Sequence, residues 1–310
     1  MVENQNCNDE ETRSPGLLGP IRSIGRGIFN QFKIITGSAF GRIGLIGMTV
    51  FFIMAIFAPY LAPYLPYKET YHLNGDLAFL EPPSWEHLFG TTLMAQDLLS
   101  QIIWGTRRTL VIGLSAAFGA AFIGTNIGLI AGYFGGKVDL FLMRLTDIAY
   151  GLPFLPFAMV AVLIFGRGDM VLVLVISSIL WRTTSRVIRS QVLTLKERPF
   201  ISAAKTMGAS SSRIIYRHIM PNVIPLSFLY SLIIAGDAVL IEASLSFLGL
   251  GNPNTISWGQ ILFYCFSSQR MRVAWWWGFF PGLCIVLLVL SAFFIGRSYE
   301  ETINPRLREM

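Results

Sequence analysis

Long apolar runs alternate with short polar stretches along the chain, and the runs have the length of membrane spans. About 20 mostly apolar residues cross a bilayer as a helix. Residues 43–62, 109–134 and 273–296 meet that length unaided. Three further runs are apolar but interrupted. Residues 148–165 contain Pro153 and Pro156 and are expected to begin earlier, near Asp139. Residues 170–181 reach spanning length only by running on through Arg182, Arg186 and Arg189, and residues 223–251 carry Asp237 and Glu242. The pattern predicts six spanning helices and an all-α integral membrane fold. Within the second run Gly124, Gly128 and Gly132 recur every four residues. They share one helix face, and small residues at that spacing let two helix backbones approach closely. Helix packing is therefore expected there rather than a pore lining.

The polar stretches carry their own signals. The first 42 residues are polar or mixed, too long for a cleavable leader. Residues 1–14 are expected to be disordered, and residues 16–40 to lie along the membrane surface before the first span. Residues 63–108 form an outer segment rich in Pro, Tyr, Trp and His. Leu98, Leu99, Ile102 and Ile103 fall at helical spacing there, which predicts a short interfacial helix within 85–104. That segment reads equally well as a docking surface and as a linker packed on the bundle.

The stretch 196–222, KERPFISAAKTMGASSSRIIYRHIMPN, is the most informative. Pro199 suits a first helical turn, and residues 201–207 fit two turns. Gly208 supplies the left-handed position that ends a helix. Ser210, Ser211 and Ser212 offer a new N-cap, and a basic helix from Arg213 is expected to stop at Pro221. The result is a helix, a glycine corner and a second helix. A small-residue face of Ala203, Ala204 and Gly208 would let this elbow seat in a partner's groove.

Composition agrees with the pattern. Hydrophobic residues make up 53% and charged residues 14%, against about 25% charged in ordinary soluble domains. Mean hydropathy is +0.57. A soluble enzyme, a disordered chain and a secreted disulfide scaffold are excluded. The net charge of +6 would invite a nucleic-acid reading in a soluble protein. In a membrane protein it follows from the enrichment of Lys and Arg in cytoplasmic loops, so no nucleic-acid partner is expected. With the N-terminus inside, eighteen of the 24 Lys and Arg residues fall on inner segments and six on outer ones. Both termini are accordingly expected to be cytoplasmic. The layout is a tail at 1–42, a six-helix membrane domain at 43–297 and a tail at 298–310.

Candidate chemistry is sparse. Cys7, Cys265 and Cys284 are scattered, as are His72, His87 and His218, so neither a disulfide framework nor a metal site is expected. A phosphate loop of the G-x-x-x-x-G-K-[ST] type is missing. No catalytic residue, cofactor or metal is assigned, and the chain is not expected to be an enzyme. The intramembrane carboxylates Asp147, Asp237 and Glu242 are candidate translocation-path residues, because an ionisable group is expensive to keep in a bilayer. Asp237 and Glu242 are five apart, about 140° around a helix, so they cannot both face one narrow site on an unbroken helix. A carboxylate in a polar path is preferred over a proton relay. Arg182, Arg186 and Arg189 are expected to sit at the inner end and snorkel to the headgroups.

The 196–222 stretch also resembles the coupling loop of ABC importer permeases, whose pattern is Glu-Ala-Ala, three residues, Gly, nine residues, Ile-x-Leu-Pro. Here it reads Ser202-Ala203-Ala204, Gly208 and Ile219-Met220-Pro221. The run EASLSFLGLG from Glu242, the pair Trp258-Gly259, the stretch from Ala274 to Leu283 and NPRLR from Asn304 narrow the likeness. They are similar to the second permease of the dipeptide, oligopeptide and nickel importer group. HLFGTTLMAQDLLS from His87 resembles that group's H-x-L-G-T-D-x-x-G-R-D-x-L-S segment, with Thr92 for its Asp, Ala95 for its Gly and Gln96 for its Arg.

The resemblance implies a MetI-like six-helix permease in the cytoplasmic membrane that translocates di- or oligopeptides. It implies as partners the lipid bilayer, a second homologous permease, two cytoplasmic ATP-binding subunits and an extracytoplasmic substrate-binding protein. Ser202, Ala203, Ala204, Lys205, Gly208, Ala209, Arg213 and Pro221 are the coupling residues it implies. Ser202 stands where the family's Glu helps seat the elbow, and Glu242 fits the family while Asp237 does not. Nickel or a small oligosaccharide stays open as cargo. A channel, a scaffold or a proton-driven carrier stays open as another class.

Overall fold

The computed structural model describes residues 35–71 and 76–303. The expected disordered segment, most of the expected surface segment and the NPRLR end lie outside the described residues. Among the described residues these helices follow one another: α1 (Ala39–Ile56), the single turn α2 (Ala58–Leu61), α3 (Leu98–Phe134), α4 (Gly136–Gly151), α5 (Phe154–Phe165), α6 (Asp169–Leu195), α7 (Pro199–Thr206), α8 (Ser211–Phe247), α9 (Trp258–Ser267) and α10 (Trp275–Ile303). Among the described residues there are isolated β-bridges but no strands. Helices α1, α3, α6, α8 and α10 are long and apolar enough to cross a membrane alone. The remaining expected span is a broken one, with α4 and α5 meeting at 91°. The sequence supplies the break: Pro153 lacks the donor a continuing helix needs, and it pushes Leu152 out of the helical region to ψ 125°.

Helix α3 is the axis of the bundle, packed along α6 on one side and α8 on another, while α1 lies against α10. The glycine stripe makes the α3–α6 contact. A Cβ on Gly128 would sit 2.7 Å from the Ser185 carbonyl oxygen and 2.9 Å from the Arg189 nitrogen. One on Gly132 would lie 2.7 Å from Val192 Cβ. The expected packing face is therefore where the backbones meet. Around it Ile112, Ala116, Ala120, Leu172 and Ile176 form one apolar cluster with Ile234 and Ala238 of α8. A second cluster gathers Trp258, Trp276 and Trp277 with Phe51 and Leu98.

Two expectations are corrected, and one helix is new. The separate interfacial helix within 85–104 does not form. Asp97 caps α3 by accepting from the Ser100 nitrogen at 2.8 Å, so Leu98, Ile102 and Ile103 become its first turns. They are buried against the bundle, which removes the need for a lipid-facing surface. The helix after Gly208 does not stop at Pro221 but continues to Phe247, with Pro225 also inside it. The residues before the proline, Ile214–Ile219, take π-helical turns. Those wider turns relieve the clash a proline ring makes with the carbonyl four residues back. Finally, α9 lies in a stretch for which no helix was expected. Ser257 caps it by accepting from the Gln260 nitrogen, and Trp258 is fully buried with its indole donating to the Ile102 carbonyl at 3.1 Å.

Candidate functional site

Two features gather the candidate residues: an elbow at one end of the bundle and a polar zone partway along it. Arg198 precedes the elbow in extended backbone, and Pro199 opens α7. The closing turn is a complete Schellman motif. Gly208 at φ +78° donates to Lys205 O at 3.0 Å, and Ala209 donates to Ala204 O at 3.0 Å. Ser210 then caps α8 through Arg213 N at 3.4 Å. Ile201 and Ala204 are buried with Leu129, Ile188, Val192, Ile214 and Ile219. This apolar base fixes the elbow to α3, α6 and α8. Ala203 is exposed while Ala204 is buried, which corrects the expected single small-residue face. Ser202, Ala203, Lys205, Gly208 and Arg213 are exposed, and Met207 at the tip is 86% exposed. Lys205 extends over the Tyr133 ring at 5.6 Å. Ala209 is half-buried, and Pro221 lies inside α8 away from the corner.

In the polar zone the arginines of α6 do not snorkel free. Arg189 grips Asp139 with two bonds, Nε to Oδ1 at 2.5 Å and Nη2 to Oδ2 at 2.6 Å. Arg186 pairs with Asp147 at 2.7 Å. Arg182 donates to the Ala149 carbonyl at 2.8 Å, and both Arg182 and Arg186 stand over the Tyr150 ring, at 4.6 and 4.1 Å. The pairing has a physical reason: α4 presents Asp139, Asp147 and a free carbonyl at its end to a row of guanidinium groups, and internal pairing replaces a climb to the headgroups. Asp147 is thereby committed to an ion pair. Asp237 and Glu242 diverge as their spacing requires. Glu242 is fully buried and accepts from the Ser246 hydroxyl at 2.7 Å. Asp237 points out of the bundle from the opposite side of α8.

The end of the bundle away from the elbow carries an arrangement that the sequence did not disclose. Arg108 of α3 is bound to Asp169 at the start of α6, Nη2 to Oδ1 at 2.6 Å, and donates to the Thr255 carbonyl at 3.0 Å. Asn252 donates to the same Asp169 at 3.2 Å. This hub floors a cavity of about 610 Å³ lined by Tyr67, Trp104, Arg107, Val111 and Ile256 among others. Tyr67 donates to Asn254 O at 3.0 Å, and burial raises its phenol above the ordinary value, so it stays a neutral donor. Arginine and aspartate 61 residues apart leave no local sequence signal.

Beside the cavity, the segment preceding α3 is ordered by buried polar groups. His87 Nδ1 lies 3.0 Å from Asp97 Oδ1, and Thr91 donates to Ala78 O at 2.6 Å. Ala95 is fully buried and sits at φ +51°, a left-handed conformation that disfavours any residue with a Cβ. The resembling motif has Gly there. Ala95→Gly is expected to stabilise the folded chain by about 1 kcal/mol, read as a rise in the thermal midpoint of the purified protein. A lowered midpoint would show that the Cβ packing outweighs the strain.

Comparison with known proteins finds relatives over most of the chain. Residues 124–309 match the model of the binding-protein-dependent transport system inner membrane component. Residues 40–83 match the N-terminal membrane domain of oligopeptide transport permease C. The chain is 36% identical over 278 residues to a dipeptide transport system permease protein of Alkalihalophilus pseudofirmus, covering 89% of each chain. It is 35% identical to a putative peptide permease protein of Brucella suis, covering 94% of this chain and 93% of that one. It is also 35% identical to an oligopeptide transport system permease protein of Haemophilus influenzae, over 72% of this chain and 71% of the relative.

Proposed function

The chain belongs to the family of inner membrane components of binding-protein-dependent transport systems, and from that premise we propose that it carries di- or oligopeptides and is driven through the α7–α8 elbow. It is a multi-pass inner-membrane subunit of an ABC importer and not an enzyme; the ATPase activity resides on partner subunits. The peptide cargo is supported by the relatives, which are named as dipeptide, oligopeptide or peptide permeases.

One observation carries the coupling role. The elbow is rigid on its inner side, where Ile201 and Ala204 are buried, and open on its outer side, where Ser202, Ala203, Met207 and Arg213 are exposed. A lever needs both properties. The elbow end is the cytoplasmic end in this reading, as the distribution of basic residues requires, and both termini lie on that side. Each of two such permeases would present its elbow to one of two ATPases, and the binding protein would deliver peptide at the opposite end. Ser202 on the exposed face would make a neutral contact where the resembling loops carry a charge. Asp237 is the carboxylate best placed to meet cargo, because Asp147 is paired and Glu242 is enclosed.

Copurification and uptake test this reading together. The tagged chain in gentle detergent is expected to bring down a second permease and two copies of an ATPase, or two related ATPases. Cells lacking the gene are expected to lose uptake of labelled di- to pentapeptides and to regain it from the intact gene. A chain that purifies alone while supporting transport would overturn the ATPase-coupled reading. Intact copurification with unchanged peptide uptake would overturn the cargo and direct the search to nickel or oligosaccharide.

A further inference from the structure

We propose that Asp237, on the outward face of α8, is the station at which the permease holds the ammonium group of its cargo; the proposal rests on the peptide-permease reading. A carboxylate inside a span is costly unless something polar faces it. Asp237 forms no hydrogen bond or ion pair among the described residues, and it is exposed on the outward sector of α8 with Leu240. It lies ten residues before the end of that helix at Phe247, about 15 Å at 1.5 Å per residue. That is half of a hydrocarbon core about 30 Å thick, too deep for headgroups to reach.

The broken span lies nearer the elbow, where Ala149 accepts from Arg182, Trp181 meets Gly124 and Thr125 bonds Ser227, ten residues before Asp237. Ala149 and Phe154, either side of the break, pack on the cluster that buries Ile234, Ala235 and Ala238, the residues flanking Asp237. Between them Gly151, Leu152 and Pro153 are exposed, the last two on non-helical backbone. Non-helical backbone at membrane depth is tolerated where it is covered by protein or lines a watery cavity. An outward carboxylate at that depth likewise calls for a polar surround.

Charge complementarity identifies the occupant. The guanidinium groups nearest in depth, Arg182, Arg186 and Arg189, are engaged by α4, and Arg108 is engaged by Asp169. Among the described residues no cation is paired with Asp237. A peptide with a free N-terminus always brings one. The connection to the elbow favours cargo over a static subunit contact, because α8 runs unbroken from the corner at Ser211 through Asp237. Movement of the elbow would move the carboxylate, so grip on the ammonium group would change with the nucleotide cycle.

The test uses the complete importer, with its ATPases and binding protein, in proteoliposomes. ATP-driven transport of trialanine and of N-acetyl-trialanine is measured for the native chain, Asp237→Asn and Asp237→Glu. Loss of one charge-assisted hydrogen bond predicts that Asp237→Asn slows trialanine about tenfold or more and leaves N-acetyl-trialanine within about twofold. Asp237→Glu is expected to restore most of the trialanine rate. Equal losses for both peptides, with Asp237→Glu as poor as Asp237→Asn, would overturn the proposal and assign the carboxylate to packing or to the second permease. A separate readout is cysteine modification: D237C is expected to react with a cationic thiosulfonate reagent and to be protected by trialanine. A cysteine there that water-borne reagent never reaches overturns the proposal as well. Transport of neither peptide by a native complex that hydrolyses ATP would instead sink the peptide reading.

Discussion

Gly208→Pro is expected to reduce peptide uptake to background while the chain still inserts in the membrane. Proline fixes φ near −65°, whereas the corner holds Gly208 at φ +78°. Proline also lacks the N–H that Gly208 donates to Lys205 O at 3.0 Å. The Schellman turn cannot close, and the second bond of the motif, from Ala209 to Ala204, is lost with it. No core residue is removed: a Cβ at position 208 meets nothing within 4 Å, so the lesion is one of direction and not of packing. The outer side of the elbow, with Met207 at its tip, would then present a different surface to the ATPase. Uptake and ATPase stimulation by loaded binding protein should fall together, by tenfold or more, roughly the consequence of about 1.4 kcal/mol or more in the coupled state. Gly208→Asn separates direction from side-chain identity, because Asn tolerates the left-handed region better than other residues with a Cβ. It should retain a measurable fraction of uptake. Near-normal uptake by Gly208→Pro, at equal membrane abundance, would show that the corner does not transmit force.

The elbow was legible because its signals are local. Pro199, Gly208 and Ser210 each act on the backbone within a turn of their own position, and the structure uses each as its chemistry requires. The glycine stripe was legible for the same reason, since a four-residue period survives whatever lies opposite. Pro221 misled because a proline's effect depends on the turns before it, and the π-helical stretch Ile214–Ile219 is not written in residue type. The outer segment was misread because Leu98, Ile102 and Ile103 suit a lipid surface and a protein core equally well. What decided between them was Asp97, which caps α3 while pairing with His87 ten residues earlier. Arginine row and acidic face are a stronger case. Arg182, Arg186 and Arg189 look like a cationic stripe until α4 folds against them, and that contact joins residues as far as 50 positions apart. The 91° break that allows it follows from Pro153, but its angle depends on what α4 and α5 pack against. Asp237 and Glu242 show the converse. Helical geometry alone separated them by about 140°, and on an unbroken α8 one is enclosed and the other faces out.

Gly128→Leu is expected to be among the most damaging single changes to the fold. The site opposite is backbone: Ser185 O at 2.7 Å and Arg189 N at 2.9 Å from the added Cβ. Neither can swing aside as a side chain can, so α3 and α6 must part along their whole contact. Parting moves Arg189, which ties α6 to α4 through Asp139, and it opens the cluster of Leu129, Ile188 and Val192 that seats the elbow. Overpacking a tight core costs about 1–3 kcal/mol, occasionally more, and the backbone contact puts this variant at the upper end or beyond. The thermal midpoint of the purified protein should fall sharply and membrane abundance with it. Gly282→Ala is the matched control, because a Cβ on Gly282 meets nothing within 4 Å and alanine favours the helix by up to about 1 kcal/mol. It should be neutral or slightly stabilising. If Gly128→Leu folded as well as Gly282→Ala, the α3–α6 contact would have to lie elsewhere, and the elbow would lose the rigid base that lets it act as a lever.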